Sequence, residues 1–152
     1  MEDQLVIFDL AQEHYAVNIA AVDSIIKVQP VTKLPRAPQF VEGVINLRGK
    51  VLPVIDLRKR FGLQAEAATK DSRIVVVQMN HLEVGMVVDG VSEVLSVPPD
   101  HVEPPSPIVT TTDSEFIRGI AKVSERLVIL LDLGKVLSAS EQASLQHLPV
   151  AA

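Results

Sequence analysis

The chain has no cysteine and no tryptophan, and it has only one tyrosine and four phenylalanines. Without cysteine it can form no disulfide, no thiolate nucleophile and no cysteine-ligated zinc or iron–sulfur site. Aromatic residues make up 3% of the sequence, against 47% for hydrophobic residues as a whole. The apolar core therefore has to be built mainly from Val, Ile and Leu. Because Val and Ile are β-branched and favour strands, this composition predicts a globular, β-rich fold.

Two further absences bear on location and partners. No apolar run approaches the roughly 20 residues that a membrane-spanning helix requires, and the acidic start does not resemble a secretory signal, so we expect a cytoplasmic protein. The net charge is −5, whereas proteins that bind nucleic acid usually carry a basic face. The one dense basic cluster, Arg58–Arg60, is interpreted as the solvated side of a short helix. The sequence predicts no nucleic-acid partner.

No group of residues indicates catalysis. The four histidines form no His-x-x-x-His pair, and the chain has no Gly-rich phosphate loop and no Gly-x-Ser-x-Gly elbow. Asp56 and Asp132 could be read as paired carboxylates, but each stands where a strand gives way to Leu-x-Lys, the place of a helix N-cap. We interpret both as caps. The sequence therefore predicts a protein that is not an enzyme and that holds no metal and no cofactor.

Short runs rich in Val and Ile alternate with turn-forming residues, a pattern typical of a sandwich or barrel. The predicted strands are Leu5–Phe8, Tyr15–Ile19, Val41–Leu47, Val51–Ile55, Ile74–Val77, Val84–Val88, Val91–Leu95, Phe116–Ile120 and Leu127–Leu131.

The chain also repeats itself. A shift of 69 positions aligns the earlier part of each copy, and a shift of 76 aligns the later part, so the second copy carries seven extra residues between its third and fourth strands. The matching positions include Leu5–Ile7 with Ile74–Val76, Val22–Ile26 with Val91–Leu95, Phe40 with Phe116, Gly43 with Gly119, and Asp56 with Asp132.

Within a single domain spanning 1–152, the copies cover approximately 5–61 and 74–137, with five strands each. Five short strands can close on themselves and leave few exposed edges. We therefore predict an all-β fold of two pseudo-symmetric five-stranded barrels, one from each copy, packed side by side. Ser138 and Glu141 have capping-box spacing, which predicts a C-terminal α-helix over approximately 138–147.

The copies differ in two places, where function could have been added. The turn of the first hairpin contains Arg48 and Gly49; Gly49 can take the positive φ of a tight turn, and Arg48 offers a fork of donors suited to a carboxylate. That carboxylate could belong to a partner or to the same barrel. The second difference is the loop Val97–Ile108, which contains five prolines. It is either a stiff docking element or a rigid connector.

Three segments, Tyr15–Val22, Gly43–Arg58 and Val88–Leu95, resemble the CheW family of bacterial chemotaxis coupling proteins. The resemblance extends from about Leu5 to Leu145, and Gly-Val-Ile-Asn-Leu-Arg-Gly at 43–49 is its most specific part. It implies two intertwined SH3-like barrels. It also implies an adaptor that links the cytoplasmic tips of chemoreceptors to the histidine kinase CheA, controls autophosphorylation of the kinase, and joins the kinase's regulatory domain in rings.

The same resemblance implies the binding residues. The receptor-facing groove would contain Val22, Gly43, Asn46, Arg48 and Val94. The contact with the kinase regulatory domain would contain Glu103, Pro107 and Ile108. The position of Ser24 is often acidic in relatives, where it pairs with the residue at Arg48; here Asp23 and Glu42 are the candidate partners of that arginine. We expect Arg48→Ala and Gly43→Arg to weaken receptor coupling without unfolding the protein.

Other interpretations remain open at this point. One is the amino-terminal module of a CheV-like protein or an excised kinase regulatory domain, although the short tail after the predicted helix favours a free-standing adaptor. Another is a small SH3-like or OB-like RNA binder, which the acidic charge and scarce aromatics disfavour. The third is a hydrolase. The preferred hypothesis is an adaptor that is monomeric when free and reaches the inner face of the membrane only through receptors.

Overall fold

The computed structural model of the chain describes residues 3–35, 37–64, 66–103, 116–123, 125–137 and 141–142. The strands in these ranges are β1 Asp3–Leu10, β2 Glu13–Asn18, β3 Val22–Lys27, β4 Val41–Leu47, β5 Lys50–Asp56, β6 Arg73–Met79, β7 Leu82–Val88, β8 Gly90–Val97, β9 Val102–Glu103, β10 Ile117–Val123 and β11 Arg126–Leu131. Two short α-helices, α1 Leu57–Arg60 and α2 Leu133–Val136, follow β5 and β11, and 3₁₀ helices cover Ile19–Ala21 and Pro99–His101.

The strands form two sheets, which confirms the predicted all-β class. The first sheet has the order β8-β1-β2-β11-β10-β9, and the second has the order β3-β6-β7-β5-β4. We call them the first and second barrels. Each barrel takes strands from both copies, because the first two strands of each copy pair with the last strands of the other. The expectation that each copy closes on its own is therefore wrong, and the barrels are intertwined.

The two barrels are nevertheless related position by position. Exchanging the copies converts the order β8-β1-β2-β11-β10 into β3-β6-β7-β5-β4. Both third strands bulge at equivalent residues, Asp23 and Ser92. Both fourth strands also bulge at equivalent residues, Glu42 and Arg118. Since a bulge moves the register of everything after it, the shared bulges keep equivalent side chains at equivalent places in both barrels.

Each barrel encloses a small apolar core, and a larger core lies between the sheets. Along β1, Leu5 and Ile7 point into the first barrel, while Val6 and Phe8 belong to the core between the sheets. Strand β6 alternates in the same way between the second barrel and the shared core. These two strands are buried on both faces, which explains their unbroken apolar sequence. The shared core makes the two barrels one packed unit.

Most of the few aromatic residues gather at this shared core. The ring centroids of Phe8 and Tyr15 are 6.1 Å apart, those of Tyr15 and Phe61 are 5.7 Å apart, and the stacked rings of Phe61 and Phe116 are 4.2 Å apart. Phe8 lies on β1 and Tyr15 on β2. Phe61 directly follows α1, and Phe116 directly precedes β10. The row of rings therefore joins parts of the chain that are far apart in sequence.

The glycine shared by the two copies has a packing role. Gly43 has φ +146°, and a Cβ atom there would lie 2.1 Å from the backbone oxygen of Thr32. At the equivalent Gly119, a Cβ would lie 2.7 Å from Val102 and 2.8 Å from the backbone oxygen of Glu103. In each barrel a short segment pairs with the fourth strand next to this glycine. In the second barrel it is the isolated bridge of Thr32 with Val44, and in the first barrel it is β9. Only glycine leaves room for that backbone.

The N-cap assignment of the two repeated aspartates is confirmed. Asp56 accepts a hydrogen bond from the backbone N–H of Arg58 at 2.9 Å, and Asp132 accepts one from the N–H of Gly134 at 3.0 Å. Asp56 is buried, and burial raises its pKa. Each cap starts the short helix that follows the last hairpin strand of its copy.

The basic cluster Arg58–Arg60 is not a solvated face, which corrects the interpretation from sequence. All three side chains are engaged in ion pairs, and the Arg58 side chain is only 12% exposed. The pairs are Arg58 with Asp89, Lys59 with Glu42 at 2.8 Å, and Arg60 with Glu141 at 3.2 Å. The short helix is thereby fixed to three other parts of the fold.

Most of the predicted C-terminal helix, 138–147, lies outside the described residues. Glu141 and Gln142 are helical. The side chain of Gln142 is buried and donates hydrogen bonds to the carbonyl oxygens of Leu137 at 2.9 Å and Gly134 at 3.2 Å. This amide holds the start of the segment against α2.

Candidate functional site

The first hairpin ends in a tight turn that presents an arginine to solvent. Leu47 pairs with Lys50, and the two residues between them, Arg48 and Gly49, both have positive φ, at 53° and 83°. This is the pattern of a two-residue type I′ turn. The side-chain oxygen of Asn46 accepts a hydrogen bond from the Gly49 N–H at 3.0 Å, which stabilises the turn. The positive φ predicted for Gly49 is confirmed, and Arg48 is exposed.

This turn forms one rim of an open cleft of about 440 Å³, which we call the hairpin cleft. Residues of β3 line one side, and residues of the β4–β5 hairpin line the opposite side. Since β3 and β4 are the two edges of the second sheet, the cleft is the open end of the second barrel. Its lining consists of Asp23, Ser24, Leu47, Arg48, Lys50, Val76, Gln78 and Glu83.

Two carboxylates on the cleft are held together by one amide. Gln78 Nε2 donates hydrogen bonds to Asp23 Oδ2 at 2.9 Å and to Glu83 Oε2 at 3.3 Å. A hydrogen bond with Glu83, helped by the one from Gln78, lowers the pKa of Asp23. The hydrogen bond with Asp23, together with burial, raises the pKa of Glu83. We call Gln78, Asp23 and Glu83 the Gln78 cluster; Glu83 is the member that takes up a proton first as the pH falls.

Neither of the two predicted partners of Arg48, Asp23 and Glu42, forms an ion pair with it. Glu42 lies in an ion pair with Lys59, so its assignment to Arg48 is wrong. Asp23 lines the same cleft as Arg48, but within the part of the chain that the structure describes, Arg48 makes no ion pair within 4.0 Å. The guanidinium fork therefore faces solvent at the rim of the cleft.

The other predicted receptor-binding residues are spread over the fold. Asn46 and Gly43 lie on β4 with the turn, and Val22 begins β3 and packs against the shared core. Val94 is 49% exposed on β8 of the first barrel and is not part of the cleft lining. The structure thus brings Gly43, Asn46 and Arg48 together on one hairpin and places Val94 on the other sheet.

The geometry of Gly43 corrects one expectation. Any side chain at this position would collide with the backbone of Thr32, and the φ of +146° disfavours every residue other than glycine. Gly43→Arg would therefore disturb the fold of β4 itself, contrary to the expectation that this variant leaves the protein folded. Arg48 is the cleaner position for testing a docking role.

The predicted contact for the kinase is only partly described. Glu103 is exposed in β9, and its backbone pairs with Ile120. Pro107 and Ile108 lie outside the described residues. Glu103 thus sits where β9 crosses β10 at the edge of the first barrel.

Sequence reasoning missed a second cleft, at the corresponding end of the first barrel. Its volume is about 560 Å³. Asp9 accepts hydrogen bonds there from Ser92 Oγ at 3.0 Å and from His14 Nδ1 at 2.9 Å. These residues occupy the positions equivalent to the Gln78 cluster under the shift of 69. The repeat alignment contained this signal, because it already paired polar residues at these strand ends.

Sequence reasoning also missed a set of exposed apolar side chains at equivalent positions. Ile25 and Val94 on the third strands are 41% and 49% exposed, and Val51 and Leu127 at the hairpin ends are 41% and 56% exposed. The alternation of β3 and β8 carried the signal for the first two, since alternate residues of an edge strand face outward.

A model of the CheW-like domain matches residues 4–141. The chain belongs to the CheW-like domain family. It is 36% identical over 140 residues to the chemotaxis protein CheW of Klebsiella aerogenes, covering 92% of this chain and 84% of that one. It is 34% identical over 149 residues to the chemotaxis protein CheW of Treponema pallidum, covering 95% and 88%.

The fold is also similar to a solved CheW structure. The crystal structure of the scaffolding protein TtCheW from Thermoanaerobacter tengcongensis superimposes with a TM-score of 0.85 at 42% identity, covering 93% of this chain and 96% of that one. The resemblance found in the sequence is thereby confirmed. Among the described residues, no helix is long and apolar enough to cross a membrane.

Proposed function

We propose that this protein is a chemotaxis adaptor that couples the cytoplasmic tips of chemoreceptors to the histidine kinase CheA and has no catalytic step of its own. The two kinds of partner would bind to different faces of one intertwined double barrel. Receptor state would then control kinase autophosphorylation through the complex. The protein would work in the cytoplasm as a single domain, monomeric when free, and reach the membrane only through receptors.

The observation that carries the proposal is the placement of the most family-specific motif. Residues 43–49 form β4 and the turn at the rim of the hairpin cleft. The turn is rigid, because Asn46 fixes it from within, and it presents Arg48 without an ion pair among the described residues. The fixed backbone holds the start of the Arg48 side chain in place, and the planar fork of the guanidinium suits a partner's carboxylate or carbonyl groups. We therefore place the receptor on the hairpin cleft, with Val22 beside it.

The chemistry of the cleft supports binding over catalysis. The polar groups of the Gln78 cluster hydrogen-bond one another, and Asp56 and Asp132 serve as helix caps. A general acid or base needs a proton acceptor or donor aimed at a substrate position. These carboxylates are instead occupied with structural hydrogen bonds.

The kinase regulatory domain would bind at the far side of the first barrel. Glu103 on β9 is the described part of the proposed contact, which also includes Pro107 and Ile108. Val94, which the structure places on the first barrel and outside the cleft, would then contact the receptor only if the receptor reaches across both barrels.

The proposal is tested by measuring binding of the purified chain to a receptor cytoplasmic fragment and, separately, to the CheA regulatory domain. Arg48→Ala is expected to weaken receptor binding by roughly two- to fivefold, the upper part of the range for an exposed charge contact, and to leave kinase-domain binding unchanged. Lys135→Ala is the matched control, because Lys135 is an exposed cation on α2, away from the cleft.

A complementary variant, Glu103→Lys, is expected to weaken binding of the kinase domain and to spare binding of the receptor fragment. The coupling itself is read out as CheA autophosphorylation in a mixture of receptor, kinase and adaptor. If the wild-type chain bound neither fragment, or if it failed to change autophosphorylation, the proposed function would be wrong.

A further inference from the structure

The two barrels offer an internal comparison at their open ends. Glu93 on β8 lies opposite Ile7, and Ser24 on β3 lies opposite Val76, at equivalent positions in the two sheets. Lys50 begins β5, just as Arg126 begins β11, and each pairs with the last residue of the preceding strand. The contacts of Glu93 and Arg126 in the first barrel can therefore be compared directly with those of Ser24 and Lys50 in the second barrel.

In the first barrel, the third strand and the hairpin are joined by an ion pair. Glu93 Oε1 binds the guanidinium of Arg126, the first residue of β11. Both side chains are about one third exposed, at 38% and 35%. A carboxylate on the third strand thus neutralises the cation of the hairpin at that open end.

In the second barrel the third strand has no acid at this position, and the hairpin turn carries two cations. Ser24 stands at the position of Glu93, while Lys50 and Arg48 lie across the hairpin cleft from it. Within the described ranges, neither cation makes an ion pair within 4.0 Å. The acids of the cleft, Asp23 and Glu83, accept hydrogen bonds from Gln78, and Lys50 and Arg48 attract them only from beyond ion-pair distance.

We infer that a partner's single glutamate or aspartate side chain docks beside Ser24, between Arg48 and Lys50, and supplies the charge that Glu93 supplies in the first barrel. This inference rests on the proposed function, since the partner is the receptor segment that binds the hairpin cleft. Two adjacent cations can hold one carboxylate through several charged hydrogen bonds.

The neighbouring acids restrict what can dock. Asp23 and Glu83 would repel a second negative charge, so the cleft selects one carboxylate within an otherwise neutral or apolar segment and rejects an acidic run. Ser24 is small enough to leave the space that a longer side chain would fill, and its hydroxyl can donate a hydrogen bond to the incoming carboxylate.

The test installs the missing acid. Ser24→Glu places in the second barrel the residue found at the same position of the first, where it is expected to bind Arg48 or Lys50 and to compete with the partner. Binding of the receptor cytoplasmic fragment should fall roughly fivefold or more. Ser24→Gln, which is similar in size but uncharged, should lose less than about twofold, as surface substitutions usually do.

A charge control and a salt series complete the design. Gln64→Glu adds the same charge on an exposed residue outside the cleft and should bind like the wild type. Wild-type affinity should fall as salt is added, whereas the affinity of Ser24→Glu should depend less on salt. Circular dichroism checks that each variant is folded; should Ser24→Glu not fold, the double variant Arg48→Gln, Lys50→Gln replaces it, with the same expected loss of affinity and salt dependence.

The outcomes separate the two hypotheses. If the wild-type chain binds the receptor fragment and Ser24→Glu binds equally well with the same salt dependence, the inference is overturned and the adaptor function stands. If Ser24→Gln loses as much affinity as Ser24→Glu, size rather than charge decides, and the inference is again overturned. If the wild-type chain does not bind the receptor fragment at all, both the proposed function and this inference are wrong.

Discussion

At the scale of single residues, Asp89 is the point where the two barrels are tied together by charge. Its carboxylate accepts hydrogen bonds from Arg58 Nε at 2.9 Å and from the backbone N–H of Ala11 at 2.8 Å. Arg58 belongs to the helix after β5 of the second barrel, and Ala11 to the β1–β2 turn of the first. One side chain thus fixes the position of a turn in one barrel against a helix of the other.

We expect Asp89→Asn to lower the free energy of unfolding by about 1.5–3 kcal/mol at neutral pH, the range for hydrogen bonds to charged groups. Burial alone would raise the pKa of Asp89, but the bonds from Arg58 and Ala11 outweigh it and lower the pKa. A carboxyl whose pKa is lower in the folded state contributes its stability fully above its unfolded pKa, near 4, and loses it as the pH falls through the folded value.

The difference between wild type and Asp89→Asn should accordingly shrink below about pH 4. Urea unfolding at several pH values measures it. Asp71→Asn serves as the control, because Asp71 is exposed and lines the same first-barrel cleft. A difference that persists unchanged at pH 3 would mean that the charge of Asp89 is not what stabilises the fold.

Gly43 provides a second prediction at this scale. Gly43→Ala should destabilise the protein by roughly 2–6 kcal/mol, because backbone strain and overpacking each cost on the order of 1–3 kcal/mol and the added Cβ would lie 2.1 Å from the Thr32 oxygen. Gly49→Ala, with φ +83° but open space around it, should cost only about 1 kcal/mol. Equal losses in denaturant titrations of the two variants would show that the crowding by Thr32 is relieved at little cost.

At the scale of secondary-structure elements, the two capped helices make a matched pair. Asp56→Ala and Asp132→Ala should each cost about 0.5–2 kcal/mol through loss of the cap. Asp56→Asn should behave differently, because asparagine caps a helix as well as aspartate does and removes a charge whose burial raises the pKa of Asp56.

For an acid whose pKa is raised in the folded state, stability falls as the pH rises from the unfolded pKa through the folded one. Asp56→Asn should therefore gain stability relative to the wild type above about pH 5, and this gain should vanish below pH 4. Thermal unfolding across that range measures it, with Asp56→Ala as the reference for a lost cap. A constant difference at all pH values would contradict the assigned cause.

Strands β1 to β8, β10 and β11 could be predicted from the sequence, because short β-branched runs and the internal repeat marked them. Strand β9 could not, because it lies within the Pro-rich segment that was interpreted as a loop. The partners of the strands could not be predicted either. Strand β1 pairs with β8 and β2 pairs with β11, across a large separation in sequence. Periodicity reports which face of a strand is buried, and it does not report which strand lies beside it. The unbroken apolar runs of β1 and β6 did indicate burial on both faces, which is the trace of the shared core.

The same limit applies to the candidate site. The turn at Arg48 and Gly49 could be predicted from local chemistry, since glycine supplies the required φ. The pairing of Glu42 with Lys59 could not, because it joins a strand bulge to a helix. The Gln78 cluster was likewise hidden, because its members come from three strands that meet only when the second barrel closes.

At the scale of the whole molecule, the shared core predicts that both barrels unfold together. The largest apolar cluster draws residues from both sheets, and Tyr15, the only tyrosine, lies within it. Denaturation followed by Tyr15 fluorescence, which reports on the shared core, and by far-UV circular dichroism, which reports on all strands, should give one coincident transition. Two separated transitions would show that the barrels are independent domains.

The exchange of strands between the copies has a consequence for how such a molecule could have arisen. In each barrel the first two strands of one copy pair with the last three strands of the other copy. A polypeptide with only one copy would therefore lack the pairing partners of both groups of strands. Two identical polypeptides could satisfy one another by swapping, in the manner of a domain-swapped homodimer. Gene fusion through a tether between the copies would turn that dimer into a monomer and free each half to diverge, so that one third strand could carry Glu93 while the other carries Ser24.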